Sequence, residues 1–386
     1  AGTDALVRAL TPADAGAGGA SPGQGTLVVI AVSIVFAIGG VLIGLQEEIV
    51  GLIPVLVILA TRLGYDRVTA VAMSLGAAVL GGAFSPVNPF GVGVAQKLAE
   101  LPLVSGWAIR LVALSVAVAI WIAGTVRHAR GAWTAAAMPA AAATDASASA
   151  VAPSLAPSLA PSLAPASAIA PSLAPRHAVV LLLVLAAFAT YVVGALRLDW
   201  GFDEMSALFL VLGIVAGLAG GLRVSGTAEA YVAGFRDMVG AAVLVGVARA
   251  IYLVLEQGRI VDTIVSGLLA PIAGLPATVA ALGMLVVQTI VHVPVPSTSG
   301  QAVLTIPIVT PLADLMGLSR QVAVLAYQYG AGLADLFTPT NGALMAVLAG
   351  AGVRYGQWLR FVVPLFLLAM TVAAATIVVA VAIGVR

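Results

Sequence analysis

Two adjacent carboxylates, Glu47 and Glu48, sit inside an apolar stretch running from Thr26 to Leu63, with no turn around them long enough to leave a bilayer. At membrane depth such a pair is costly unless a cation, a proton or a basic ligand neutralises it, which points to a cationic substrate or a coupling ion. At an interface both acids would be solvated. A second polar break lies in the stretch HVPVPSTSGQAVLTIPIVTPLADLMG, residues 292–317. Pro294 and Pro296 lack backbone donors and stop an apolar arm, and Ser297, Thr298, Ser299, Gly300 and Gln301 gather small hydrogen-bonding groups behind them. Two more breaks, SPVNPF at 85–90 and TPTNG at 338–342, carry Ser85, Asn88, Thr338 and Asn341. Their oxygens suit Na+, their amide donors suit a substrate carboxylate, and both asparagines equally suit helix caps. Asp335, two residues before Phe337, is a further acid expected to be buried, with Arg249 as its structural alternative partner. His292 could carry a proton, although a lone histidine more often hydrogen-bonds as the neutral ring.

The elements that hold these residues are set by composition. The 386 residues are 61% hydrophobic and 9% charged, with a mean hydropathy of +1.13, too few polar groups to cover a water-soluble globule. The expected class is an all-α polytopic membrane protein. With 17 basic and 16 acidic residues there is no basic face for nucleic acid. There are no cysteines, and His128, His177 and His292 are far apart, so disulfides and thiolate or histidine-rich metal sites are excluded and no metal is expected. The chain opens AGTDALVRAL, without an initiator methionine or a signal-peptide pattern, which reads as a fragment whose earlier helices are missing.

In chain order, residues 1–126 form a first, partial repeat: a hairpin at 26–63, a broken helix at 68–98 and a final span at 107–126. Residues 127–176 are rich in alanine, serine and proline and repeat PSLA every four residues, a period that favours an extended, solvated linker. Basic residues at its ends, Arg127, His128, Arg130, Arg176 and His177, place it in the cytoplasm by the positive-inside rule. Residues 177–386 form the second repeat: scaffold spans within 178–255, a hairpin at 277–316, a broken helix at 322–350 and a final span at 358–383. Arg249 lies deep enough in the third scaffold span to need a partner, an aqueous cavity or a path to the interface.

A shift of 253 residues lays Ile53–Gly91 on Ile306–Leu344 without a gap. Identities fall on special positions: Pro54 and Pro307, Gly64 and Gly317, Arg67 and Arg320, Pro86 and Pro339, Asn88 and Asn341. Glu48 falls on Gln301 in the two hairpin tips. Five crossings per repeat invert the second copy, the plan of many secondary transporters, with substrate and ion sites at midplane among discontinuous helices. The same plan leaves three scaffold spans of the first repeat unaccounted for.

The segments GLQEEIVGLIPVLV, VLGGAFSPVNPFGVGVA, VGVARAIYLVLEQGRIVDTI, VPSTSGQAVLTIPIVTPLADLMGLSRQVAVLAYQYG and FTPTNGALMAVL together resemble the YfcC family, related to the anaerobic C4-dicarboxylate carriers of the ion transporter superfamily. The resemblance implies a multi-pass secondary transporter of the bacterial cytoplasmic (inner) membrane. Family members are described as basic amino-acid antiporters of the arginine and ornithine exchange type, or by distant kinship as dicarboxylate carriers. It further implies substrate and ion sites at the hairpin tips and broken-helix loops, which here are Glu47 and Glu48, Ser297 to Gln301, Ser85, Asn88, Thr338 and Asn341. A homodimer held by scaffold helices and an elevator-like movement of the hairpin domain are also implied. The expected substrate is a small basic amino acid, with no cofactor and with Na+ or H+ as coupling ion. The alternative is a Na+- or H+-coupled carrier of C4-dicarboxylates or other organic anions. An intramembrane enzyme is disfavoured because no HExxH, GxSxG or paired intramembrane aspartate motif is present.

Overall fold

A computed structural model describes residues 22–137, 175–198, 200, 202–272 and 274–385. Most of the expected linker, residues 138–174, lies outside the described residues, as does the Arg249 side chain. Among the described residues the secondary structure is entirely helical. They fall into two compact units, one holding residues 131–239 and the other holding 22–130 and 240–385.

The larger unit carries every candidate site residue. Its first hairpin is α1 (Pro22–Ile43) and α2 (Ile49–Arg62), joined by residues 44–48 with Gly44 at φ +66°. A broken helix follows. Its first part, α3 (Arg67–Ala83), ends before Ser85, and the short α4 runs π-helically over Pro89–Gly93 and α-helically over Val94–Leu98. α5 (Trp107–Ala137) continues eleven residues past the expected end at Val126 into the expected linker. That extension is alanine-rich, and alanine adds helix at almost no entropic cost even without packing. The smaller unit contains α6 (Pro175–Arg197) packed on α7 (Phe202–Ala219), then the first part of α8 (Arg223–Gln257).

Back in the larger unit, a short helix that the periodicity did not reveal, α9 (Ile260–Leu269), precedes the second hairpin, α10 (Ala277–His292) and α11 (Thr298–Leu315). The second broken helix is α12 (Arg320–Ala334) and α13 (Gly342–Ala351), and α14 (Tyr355–Ile383) ends the chain. The second tip is narrower than expected. Ser297 is the N-cap of α11, accepting from the Gly300 N–H at 3.2 Å, so Thr298, Ser299, Gly300 and Gln301 form the first helical turn and only residues 293–297 are non-helical. A serine cap followed by small residues starts a helix earlier than the polar run suggested.

The 253-residue offset carries over to the backbone. α13 begins and ends at the positions offset from the 89–98 half-helix, and α12 starts at the offset of α3. Each second arm closes identically, Tyr65 N–H to the Ala60 carbonyl at 2.9 Å and Leu318 N–H to the Ala313 carbonyl at 2.9 Å. In both, a glycine between these residues takes positive φ, Gly64 at +80° and Gly317 at +69°. The half-helices cross over: α4 packs on α11 of the other half, and α13 packs on α2. Arg320 at the start of α12 donates to the Ala99 carbonyl at the end of α4 at 3.1 Å, where a cation suits the helix C-terminus.

Three helices among the described residues are long and apolar enough to cross a membrane: Gly23–Ile43, Trp107–Ala132 and Tyr355–Ile383. Large apolar side chains on them are exposed, among them Leu27, Val35, Val112, Val116, Leu367 and Val379, a surface that water would not stabilise but lipid does. The chain is a membrane protein.

Candidate functional site

The two hairpin tips and the second helix break meet at Asp335, the C-cap of α12, which is 4% exposed. From the first tip, Gln46 Nε2 donates to Asp335 Oδ2 at 3.0 Å. From the second break, Asn341 Nδ2 donates to Asp335 Oδ1 at 2.5 Å and to Gln46 Oε1 at 3.3 Å. From the second hairpin, His292 Nε2 lies 2.7 Å from Asp335 Oδ1. The chain of polar groups continues through His292 Nδ1, 2.8 Å from Gln301 Oε1. Gln301 Nε2 then donates to the Gln288 carbonyl at 2.8 Å and to Gln288 Oε1 at 2.6 Å, which also accepts from Thr305 Oγ1 at 3.1 Å. His292, Gln301, Gln288 and Thr305 are all buried, so each would be costly without these partners.

Local sequence explains how each is positioned. Asn341 Oδ1 accepts from the Leu344 N–H at 2.9 Å and caps α13, which turns its amide nitrogen toward Asp335. His292 is the last residue of α10, and Gln288 lies one turn earlier on the same face. Thr340 Oγ1 donates to the Val293 carbonyl at 2.5 Å, fastening the second break to the second tip. Tyr327 donates its hydroxyl proton to the Thr298 carbonyl at 2.5 Å, holding the first turn of α11 against α12.

The first break is built differently. Asn88 Oδ1 accepts from the Phe90 and Gly91 N–H groups at 2.9 and 3.0 Å, and its amide donates to the Gly40 carbonyl of α1 at 3.1 Å. Ser85 Oγ donates to the Val41 carbonyl at 2.6 Å and accepts from the Val87 and Asn88 N–H groups at 3.0 and 2.8 Å. Their oxygen lone pairs therefore point at backbone donors. Gln328 of α12 links this break to a buried cation: its Nε2 donates to the Ser85 carbonyl at 2.6 Å and its Oε1 accepts from Arg110 Nε at 2.8 Å. Arg110 also donates to Gln321 Oε1 at 2.8 Å and to the Ser105 carbonyl at 2.7 Å, all neutral acceptors.

The remaining expected residues are placed as follows. Glu47 is exposed on the first tip, and Glu48 is half-buried with Oε2 accepting from the Gln46 N–H at 3.2 Å. Thr298 lies beside the start of α4, its methyl 3.7 Å from where a Cβ on Gly91 would be. Ser297, Ser299 and Gly300 are half-buried at the second tip. Thr338 is buried and its hydroxyl has no hydrogen-bond partner, although the offset-equivalent Ser85 makes three. Of the central cluster, Asp335, Asn341 and Gln301 are expected site residues from the sequence, His292 is weighed there as a proton carrier against a neutral hydrogen-bonding ring, and Gln46 and Gln288 are not singled out. Gln46 adjoins the two glutamates, and a glutamine one turn before a histidine in an apolar helix is a readable signal of a buried polar face. Arg110 inside an apolar span was another.

In fold, the chain is similar to the Alcanivorax borkumensis YdaH transporter, at a TM-score of 0.51 and 15% identity over 99% of this chain and 81% of that one. In sequence it is 32% identical over 350 residues to an Escherichia coli protein named "Putative basic amino acid antiporter YfcC", covering 88% of this chain and 66% of the relative. It is 31% identical over 343 residues to an uncharacterized protein of Haemophilus influenzae, covering 89% of this chain and 65% of the relative. The chain therefore spans just under two thirds of the length of these relatives. The profile of the C4-dicarboxylate anaerobic carriers matches residues 20–382, nearly the whole sequence with both hairpins and both breaks, and the chain belongs to that family.

Proposed function

We propose that the protein is a secondary active transporter of small charged metabolites in the bacterial cytoplasmic membrane, most simply a basic amino-acid antiporter of the arginine and ornithine type, and not an enzyme. The observation that carries this reading is the convergence of both hairpin tips and the second break on one buried carboxylate, Asp335. A site shared by discontinuous elements from two repeats suits alternating access, because moving one hairpin away from the breaks uncovers it. In this reading the second half is an inverted copy of the first, and the hairpin domain moves elevator-fashion within a homodimer embedded in the bilayer. No cofactor takes part, and Na+ or H+ is the coupling ion. Glu47 and Glu48 beside Gln46 give the first tip a negative field that attracts an ammonium or guanidinium group. The name of the Escherichia coli relative agrees with a cationic substrate.

A second reading, an organic dianion carrier, is favoured by one observation: Arg110 is buried and donates to neutral acceptors, Gln328 Oε1, Gln321 Oε1 and the Ser105 carbonyl. Counterflow in liposomes separates the two. Vesicles loaded with ornithine or succinate are tested for entry of labelled arginine and labelled succinate. Arginine entry driven by internal ornithine, and abolished by Glu47→Gln with Glu48→Gln, is the expected result. Succinate exchange without any arginine signal rejects the basic amino-acid assignment.

A further inference from the structure

From the hydrogen-bond pattern around His292 we infer that the His292–Asp335 pair is an exchangeable proton site, and that this proton and a cationic group of the substrate compete for the Asp335 carboxylate. The inference rests on the transporter reading above and names its coupling ion.

The direction of every hydrogen bond in the chain is determined from its two ends. At one end Gln301 faces the backbone carbonyl of Gln288 at 2.8 Å, and a backbone carbonyl can only accept. The Gln301 atom there is therefore its NH2, which leaves Gln301 Oε1 facing His292 Nδ1 at 2.8 Å. An oxygen in that position requires Nδ1 to be the donor. At the other end Asn341 Oδ1 faces the Leu344 N–H at 2.9 Å, so the Asn341 NH2 points at Asp335 Oδ1. Gln46 Nε2 likewise points at Oδ2. Both carboxylate oxygens thus accept from amides, and the imidazole already uses one proton on Nδ1.

The 2.7 Å contact between His292 Nε2 and Asp335 Oδ1 then needs a second proton. Without it, a ring lone pair would face a carboxylate oxygen inside a fully buried site. The tautomer cannot rescue the contact, because moving the proton from Nδ1 to Nε2 would set the Nδ1 lone pair against Gln301 Oε1. Flipping Gln301 would set its oxygen against the Gln288 carbonyl. The occupied pair is neutral overall, an imidazolium with a carboxylate. When the proton leaves to water, the pair carries one negative charge and two acceptors face each other. A guanidinium or ammonium donor placed between them restores both contacts and the charge, so one proton leaves for each cationic group bound. The residues belong to different elements, His292 to the end of the α10 arm and Asp335 to the break after α12, so losing the shared proton also removes a contact that ties the hairpin to the break.

The other titratable groups around the pair fit this role. From the first tip come Glu47 and Glu48, which favour holding a cation nearby when they are ionised. From α12 comes Tyr327, whose hydroxyl is committed to the Thr298 carbonyl. From α14 comes Tyr355, which donates to the Phe337 carbonyl just beyond Asp335, beside the non-titrating Trp358 indole that donates to the Leu336 carbonyl. The positions offset by 253 from His292 and Asp335 are Gly39 and Gly82, so the first half has no counterpart of the pair. Of the loop oxygens that suit Na+, those of Ser85, Asn88 and Asn341 accept from backbone N–H groups, and the buried Thr338 hydroxyl alone has no hydrogen-bond partner.

The test has two arms. In substrate-free protein in detergent, with histidine ring nitrogens labelled with 15N, the His292 signals are assigned by their loss in His292→Gln among only three histidines. The Asp335 carboxyl is read by infrared difference against Asp335→Asn. A doubly protonated His292, or a protonated Asp335, at neutral pH is expected. A singly protonated ring beside an ionised Asp335 overturns the proposal. In Na+-free proteoliposomes, an acidic interior should drive labelled arginine uptake, with apparent affinity falling about tenfold per pH unit on the acid side, as one-proton competition requires. Asp335→Asn should abolish that dependence. Arginine uptake that requires Na+ and ignores the pH gradient overturns the proposal. If arginine is not carried at all, the substrate reading fails, and the spectroscopic arm still decides the proton site.

Discussion

Gly40→Ala tests how tightly the first hairpin is held to its break. α1 and α3 touch backbone to backbone: a Cβ at Gly40 would lie 1.9 Å from the Ala78 carbonyl oxygen, and one at Gly81 would lie 2.1 Å from the Ala37 oxygen. An ordinary carbon–oxygen contact is about 3.3 Å, so the helices must part by about 1.4 Å to admit one methyl group. Neither atom belongs to a flexible side chain that could swing away. Such overpacking costs about 1–3 kcal/mol, and the rigid backbone places this case at the upper end. The same displacement pulls the Gly40 and Val41 carbonyls away from Asn88 Nδ2 and Ser85 Oγ, now 3.1 and 2.6 Å distant. Losing two neutral hydrogen bonds adds about 1 kcal/mol each, for about 3–5 kcal/mol in all. Gly51→Ala in α2 is the control. Nothing lies within 4 Å of its added methyl, and removing a helical glycine stabilises by about 0.5–1 kcal/mol. Unfolding of both variants in mixed micelles, followed by circular dichroism, gives the comparison. A Gly40→Ala protein within about 0.5 kcal/mol of the parent would show that α1 and α3 are not in backbone contact at this position.

Gln328→Leu removes the bridge between Arg110 and the first break, leaving the Arg110 Nε–H and the Ser85 carbonyl without their buried partners. A cost of about 3 kcal/mol is expected in the same unfolding assay, and one below about 1 kcal/mol would mean that water or another side chain takes over. Asp66, in the connection before α3, predicts a pH effect. Burial pushes its carboxyl up, but hydrogen bonds from His128 and from the Thr69 side chain and N–H outweigh this and hold it below the usual carboxylate range. Its contribution is therefore complete above about pH 4, the ordinary aspartate value, and is lost as pH falls through the lower folded-state value. Asp66→Asn should flatten that acid-side slope in stability measured from about pH 3 to 7, and an unchanged slope would assign it to other carboxylates.

The placement of helices and breaks was legible because each depends on local chemistry. Proline without an N–H at 294 and 296, asparagines ready to cap at 88 and 341, and glycines able to take positive φ at 64 and 317 all end or start helices wherever they occur. The 253-residue offset was visible for the same reason, since those positions tolerate few alternatives. The helix over residues 260–269 is not legible in the sequence, because ten residues are too few for a period to stand out beside a long apolar span. The end of α5 is ambiguous in the sequence, since an alanine-rich stretch is compatible with both a linker and a helix.

Membrane residence, helical class and the four polar breaks thus follow from the sequence alone, because hydropathy and backbone-breaking residues act within a few positions of themselves. The partners of the polar residues were decided only by tertiary structure. The two glutamates carry the most conspicuous charge, yet Glu47 is exposed and it is the neighbouring Gln46 that hydrogen-bonds Asp335, 289 residues away. The offset-equivalent Asn88 and Asn341 cap their half-helices alike, but one turns its amide to a backbone carbonyl and the other to Asp335. Hydrogen bonds between distant segments are selected by which faces pack together, and that selection is a property of the folded chain as a whole.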